Sequence, residues 1–193
     1  MSSAPRSLIV IPARYNSTRL PGKPFAMIAG KTLLQRVGEI GVAAAKQFTN
    51  TQVIVATDDQ RIVDHAEQLG LMAVMTSSDC ATGTDRTYQA VQQFAPKSDF
   101  IITLQGDAPL IPPSFITALL DQLQSNENAD MVTPVIQLSW PALTTLRQQK
   151  QITPYSGTTT IIDGHGKALW FSKHIIPAIR NEDKLKQTMQ LSP

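Results

Sequence analysis

Residues 8–11 read Leu-Ile-Val-Ile and stop at Pro12. Four consecutive aliphatic residues leave no polar face for water, so the run is predicted to be a strand buried on both sides, over residues 7–11. Strands of that kind belong to sheets covered by helices on both faces. The rest of the chain supplies matching units. Residues 52–56 (QVIVA), 71–75 and 100–104 (FIITL) are further short β-rich runs. Between them, residues 32–46 place Leu33, Leu34, Val37, Ile40 and Ala44 at a helical period. Residues 59–69 read as a helix capped by Asp58 or Asp59 and closed by Gly70, and residues 84–94 as a helix ending before Pro96. Residues 113–123 form a helix that opens on Pro113. Repeated β-α-β units predict an α/β fold: three layers, α/β/α, around a mostly parallel sheet.

Later segments are less regular. Residues 131–136 are expected to be a strand bent or set at an edge by Pro134. Residues 158–162 and 168–171 flank Asp163-Gly164-His165-Gly166, a hairpin signal. The polar stretch after Pro177 reads as a frayed or short helix. No linker or low-complexity tract interrupts the chain, so residues 1–193 are expected to form one nucleotide-binding domain. The one cysteine, Cys80, excludes an intramolecular disulfide. No apolar run nears the roughly 20 residues that span a bilayer. These features predict a soluble, cytoplasmic protein with no membrane partner.

The charge is unevenly placed. Seven basic residues and one acid, Glu39, fall in residues 1–50, against ten basic and fourteen acidic residues beyond. One local anion site fits this pattern, and a nucleic-acid surface does not. In an open α/β sheet ligands bind beyond the carboxyl ends of the strands, here the loops opening at Pro12, Thr57, Thr76 and Gln105. The first of these, residues 12–24, holds Arg14, Arg19 and Lys23 among small hydroxyl residues, Gly22 and three prolines. A planar guanidinium fork and an ammonium point charge suit phosphate oxygens. The loop is neither a Walker loop nor a Gly-x-Gly-x-x-Gly fingerprint.

Ile11-Pro12-Ala13-Arg14-Tyr15-x-Ser17-Thr18-Arg19-Leu20-Pro21-Gly22-Lys23-Pro24 resembles the opening signature of the 3-deoxy-manno-octulosonate (Kdo) cytidylyltransferases. Further matches follow in order: Val55-Ala56-Thr57-Asp58, Met75-Thr76, Thr82-Gly83-Thr84-Asp85-Arg86, Gln105-Gly106-Asp107-x-Pro109-Leu110-Ile111, and Gly166-x-Ala168-Leu169-x-Phe171-Ser172. The resemblance implies a Rossmann-like fold of the nucleotide-diphospho-sugar transferase type. It implies transfer of CMP from CTP to Kdo or a related sugar acid for lipopolysaccharide biosynthesis, with release of pyrophosphate and with Mg²⁺ as cofactor. It also implies a homodimer. Arg14, Ser17, Arg19 and Lys23 would hold the triphosphate, with Ala13 and Gln105 also at the nucleotide. Thr76, Thr82, Gly83 and Thr84 would lie near cytosine and ribose. Arg14, Arg19, Lys23 and Asp107 would carry the chemistry, with Asp107 as metal ligand.

Read locally, Asp107 is equally a turn residue after Gly106, and Gln105 a satisfied strand-end amide. Asp58 and Asp59 fit helix capping better than a metal pair. Asp85 and Arg86 read as a local structural pair. His65, His165 and His174 lack metal-ligand spacing. Cys80 has no base beside it. Trp140 and Trp170 read as packing residues. The chain departs from the family pattern at Ala108 (Glu), Cys80 (His), Lys173 (Arg) and Thr159 (Lys), and residues 174–193 match none of the family's C-terminal elements. These departures fall on the sugar and second-metal side. They predict a fragment or short form, and they leave open a non-catalytic nucleotide-binding relative or a transferase for another sugar.

Overall fold

A computed structural model describes residues 6–16, 20–126 and 128–192. The chain divides into two compact units, residues 1–133 and 134–193.

The first unit contains β1 (Ser7–Pro12), a 3-10 turn (Lys23–Phe25), a tiny hairpin of β2 (Met27–Ile28) and β3 (Lys31–Thr32), and α1 (Leu33–Ala45). There follow β4 (Thr51–Thr57), α2 (Gln60–Gln68), β5 (Met72–Met75), α3 (Gly83–Phe94), β6 (Phe100–Thr103) and α4 (Pro113–Ser125). The four long strands pair in parallel in the order β5-β4-β1-β6. The chain therefore builds outward from β1 on one side and returns to its other side at β6. The crevice between the carboxyl ends of β1 and β6 is the topological switch point of the sheet.

The period-2 alternation of strand side chains sorts the core into two layers. Ile9, Ile11, Val53, Val55 and Ile102 pack with Leu34 and Val37 of α1, Ile62 of α2 and Leu120 of α4. Leu8, Val10, Ile54 and Ala56 point the other way, onto Ala90 and Val91 of α3. This is the three-layer α/β/α arrangement the sequence predicts, with both faces of the aliphatic runs covered.

The second unit holds α5 (Trp140–Ile152), the antiparallel hairpin β7 (Thr159–Ile162) and β8 (Ala168–Ser172), and α6 (Glu182–Thr188). The hairpin and the short final helix agree with expectation. The strand expected over residues 131–136 does not form; residues 131–138 are irregular. Pro134 offers no N–H to a ladder. Helix α5 was not anticipated. Ser139 caps it, accepting from the Ala142 N–H, and Pro141 stands in its first turn. Trp140 is buried, whereas Trp170 is 62 % exposed and is not a packing residue.

Candidate active site

A cavity of about 220 Å³ opens at the switch point. One wall comes from the end of β1 and the residues after it (Pro12, Ala13, Arg14) and from Lys23 and Pro24. A second comes from the approach to α3 (Cys80, Ala81, Thr82, Gly83), and a third from Gln105, Gly106 and Asp107 after β6. Arg86 of α3 completes the lining.

Backbone hydrogen bonds hold the first wall. The Ala13 N–H donates to the Ala56 carbonyl, and the Gly22 N–H to the Tyr15 carbonyl. Gly22 lies at φ +67°, a left-handed conformation that glycine adopts freely, and its Cα faces the Tyr15 ring. The Arg61 guanidinium stacks on the other part of this clasp, 3.4 Å from the Tyr15 ring centroid. Arg61 also pairs with Asp59, the cap of α2. That pair holds the Asp59 carboxyl below its usual range. Asp59 is thus the capping residue.

The second wall is built by a capping box. Thr82 accepts from the Asp85 N–H, and the Asp85 carboxylate accepts from the Thr82 N–H at 2.9 Å. The expected Asp85–Arg86 pair does not form, because Asp85 is spent on this cap. Arg86 pairs instead with Asp58 at 2.8 Å. The third wall depends on Gly106. A Cβ there would meet the Pro12 carbonyl oxygen at 2.5 Å, so only glycine lets the two walls approach this closely.

Of the residues expected at the site, the cavity brings together Ala13, Arg14, Lys23, Thr82, Gly83, Gln105 and Asp107. Thr76 is not in the lining; it is 6 % exposed and its hydroxyl accepts from Arg86. Thr84 points outward from the first turn of α3 and is exposed. Ser17 and Arg19 lie outside the described residues. Arg86 and Cys80 line the cavity without having been assigned there. The signal for Arg86 was a lone arginine in the apolar half of a helix pattern. Cys80 Sγ donates to Gln89 Oε1 at 3.2 Å.

Across the cleft, Lys23 Nζ donates to Asp107 Oδ2 at 2.5 Å. Both side chains keep access to solvent, at 32 % and 51 % exposure. No group of three His, Cys, Asp or Glu residues gathers among the described residues. A single carboxylate at an open cleft suits Mg²⁺, which takes one or two carboxylates and completes its shell with phosphate and water oxygens.

The chain matches the cytidylyltransferase family profile over residues 8–192. It is 43 % identical over 183 residues to a 3-deoxy-manno-octulosonate cytidylyltransferase of Maricaulis maris, covering 95 % of this chain and 70 % of that protein. It is 42 % identical over 170 residues to the protein of the same name from Chlamydia pneumoniae, covering 88 % and 63 %. The solved structure of a CMP:2-keto-3-deoxy-manno-octonic acid synthetase complexed with CTP superposes with a TM-score of 0.73 at 35 % identity, covering 93 % of this chain and 68 % of that one. The chain thus spans about two thirds of the length of these relatives.

Proposed function

The chain belongs to the cytidylyltransferase family, and from that premise we propose that its cleft binds CTP and transfers CMP to Kdo or a related sugar acid. The observation that supports this reading is the pairing of a cationic wall (Arg14, Lys23) with a carboxylate wall (Asp107) across the switch point of a parallel sheet.

The reaction is an in-line displacement. The sugar's anomeric hydroxyl oxygen bonds to the α-phosphorus, the bond from that phosphorus to the β-phosphate bridging oxygen breaks, and pyrophosphate leaves. The hydroxyl proton passes to solvent. Such chemistry asks for alignment and charge neutralisation more than for covalent participation. Arg14 offers a planar fork to the phosphates, and Lys23 a point charge for the leaving pyrophosphate. Asp107 would hold Mg²⁺, which would supply charge neutralisation and polarisation at the α-phosphate. The arriving triphosphate gives the Lys23 ammonium a new anionic partner, so Asp107 is released as the nucleotide binds. The product, CMP-Kdo, would serve lipopolysaccharide assembly.

Pyrophosphate release tests the reading. Release requiring CTP, Mg²⁺ and Kdo together is the expected result. Release with another base or another sugar acid redirects the substrate assignment, and CTP binding without turnover makes the chain a nucleotide-binding relative. Arg14→Ala should weaken CTP binding about tenfold or more, the scale of one hydrogen bond to a charged group. Asp107→Asn should abolish the Mg²⁺ dependence of CTP binding.

A further inference from the structure

Arg86 is a charged side chain that the proposed reaction does not use, yet only 4 % of it is exposed. Removing a guanidinium from water is costly unless its charge and donors are matched. Here Nη2 donates to Asp58 Oδ2 at 2.8 Å and Nη1 to Thr76 Oγ1 at 2.5 Å. Asp58 follows the carboxyl end of β4, and Thr76 that of β5. One planar group on α3 therefore ties together two neighbouring strand ends.

The segment between Thr76 and α3, residues 77–82, contributes the Cys80, Ala81 and Thr82 wall of the cleft. It has no strand or helix of its own. Arg86 anchors its start through Thr76. Gln89, one turn further along α3, accepts from the Ser77 N–H at 2.7 Å and from Cys80 Sγ at 3.2 Å. The Thr82 capping box fixes its end. This wall is small and uncharged, while the cations Arg14 and Lys23, the latter paired with Asp107, stand on the opposite wall. The uncharged side suits the nucleoside half of a nucleotide, and the cationic side its phosphates.

We propose that Arg86 is a positioning residue for nucleotide binding: clamped by Asp58 and Thr76, it holds residues 77–82 in place as the wall for the nucleoside half. The inference rests on reading the cleft as a CTP site. It assigns Arg86 an effect on the nucleoside that is independent of the phosphate number.

Calorimetric titration of CMP and CTP into the full chain and into Arg86→Lys, Asp58→Asn, their double variant and Lys23→Ala tests it. Arg86→Lys keeps the charge and loses the fork. Arg86→Lys and Asp58→Asn should each weaken CMP and CTP by the same factor, about tenfold, the scale of a hydrogen bond to a charged group. The double variant should be no worse than the weaker single one, because both break one tie. Lys23→Ala should weaken CTP far more than CMP. In the nucleotide-free protein, amide exchange in residues 77–82 should accelerate in Arg86→Lys while exchange in β1 stays unchanged, a readout that global destabilisation would not give.

Unchanged binding and exchange in Arg86→Lys overturns the proposal. So does a loss confined to CTP, which would make Arg86 a phosphate contact, and so does a double variant whose loss multiplies those of the single ones. A parent chain that binds neither nucleotide overturns the cytidylyltransferase reading and the inference with it, whereas a parent that binds both while Arg86→Lys is silent overturns the inference alone.

Discussion

In residues 1–133 the strand side chains alternate between two apolar layers, and nearly all fully buried apolar side chains among the described residues lie there. In residues 134–193 only Trp140 and Leu143 are buried apolar residues among those described. The second unit relies instead on polar ties to carbonyl oxygens. Trp140 Nε1 donates to the Met189 carbonyl at 2.8 Å, and Gln137 Nε2 to that of Ser192 at 2.8 Å. Lys150 Nζ donates to the carbonyls of Ser156 and Lys173. Arg147 makes a two-pronged pair with Glu182. The first unit is stabilised by area removed from water, the second by individually small, directional bonds.

Four measurements would break or sharpen that contrast. The largest effect is expected from Trp140→Ala, which removes one of the second unit's two buried apolar anchors together with its bond to Met189. A loss of about 3–5 kcal/mol is the scale for such a truncation. Hydrogen exchange should show protection lost across residues 139–192 and kept in β1 and β4; uniform loss would mean that the two units fold as one. Next comes Gly106→Ala, whose Cβ meets backbone that cannot rotate away. Overpacking of this kind costs about 1–3 kcal/mol, and CTP affinity should fall with the denaturation midpoint. Gly38→Ala is the control: its Cβ meets only the end of the Leu71 side chain, so it should cost less than Gly106→Ala. Smaller again is Asp59→Ala, which removes the cap of α2 and the partner of Arg61; a cap is worth about 1 kcal/mol. The smallest effect belongs to acid. Arg147, and then Lys186, hold the Glu182 carboxyl down at about 2. Its stabilising contribution is complete above the ordinary glutamate range and fades as pH falls toward 2. Solvent screening keeps it small. Protection of α6 should therefore decline on acidification before that of α1, and Glu182→Gln should remove this difference.

The same contrast explains what the sequence could tell. Buried strands and amphipathic helices leave a periodic trace, so β1, β4, β6 and α1–α4 were legible within a residue or two. Charge and stiff residues clustered directly after a buried strand pointed to the Pro12–Pro24 loop, and of its described residues Pro12, Ala13, Arg14, Lys23 and Pro24 do line the cleft. Helix α5 left a weak trace, because its turns of Thr, Gln and Lys bury little beyond Trp140 and Leu143. The irregular course of residues 131–138 was hidden behind β-forming side chains around one proline. Arg86 was misread because its partners, Asp58 and Thr76, are 28 and 10 residues away and Asp85 is adjacent. Pairing across a fold leaves no mark at short range. Thr76 was placed in the right neighbourhood, but its hydroxyl accepts from Arg86 and it is not part of the cavity lining.

Strand order also sets a schedule for biosynthesis. β1 pairs with β4 on one edge and with β6 on the other, and the bond from the Arg6 N–H to Asp99 that extends the second pairing joins residues 93 apart. A nascent chain emerges at roughly 5–20 residues per second. For several seconds, then, Leu8–Ile11 is outside the ribosome with one edge unmatched and no α3 to cover its second face. Those four aliphatic residues have no complete cover until α3 and β6 have emerged, and the cleft that needs Pro12 beside Gly106 is among the last features of the first unit to be completed.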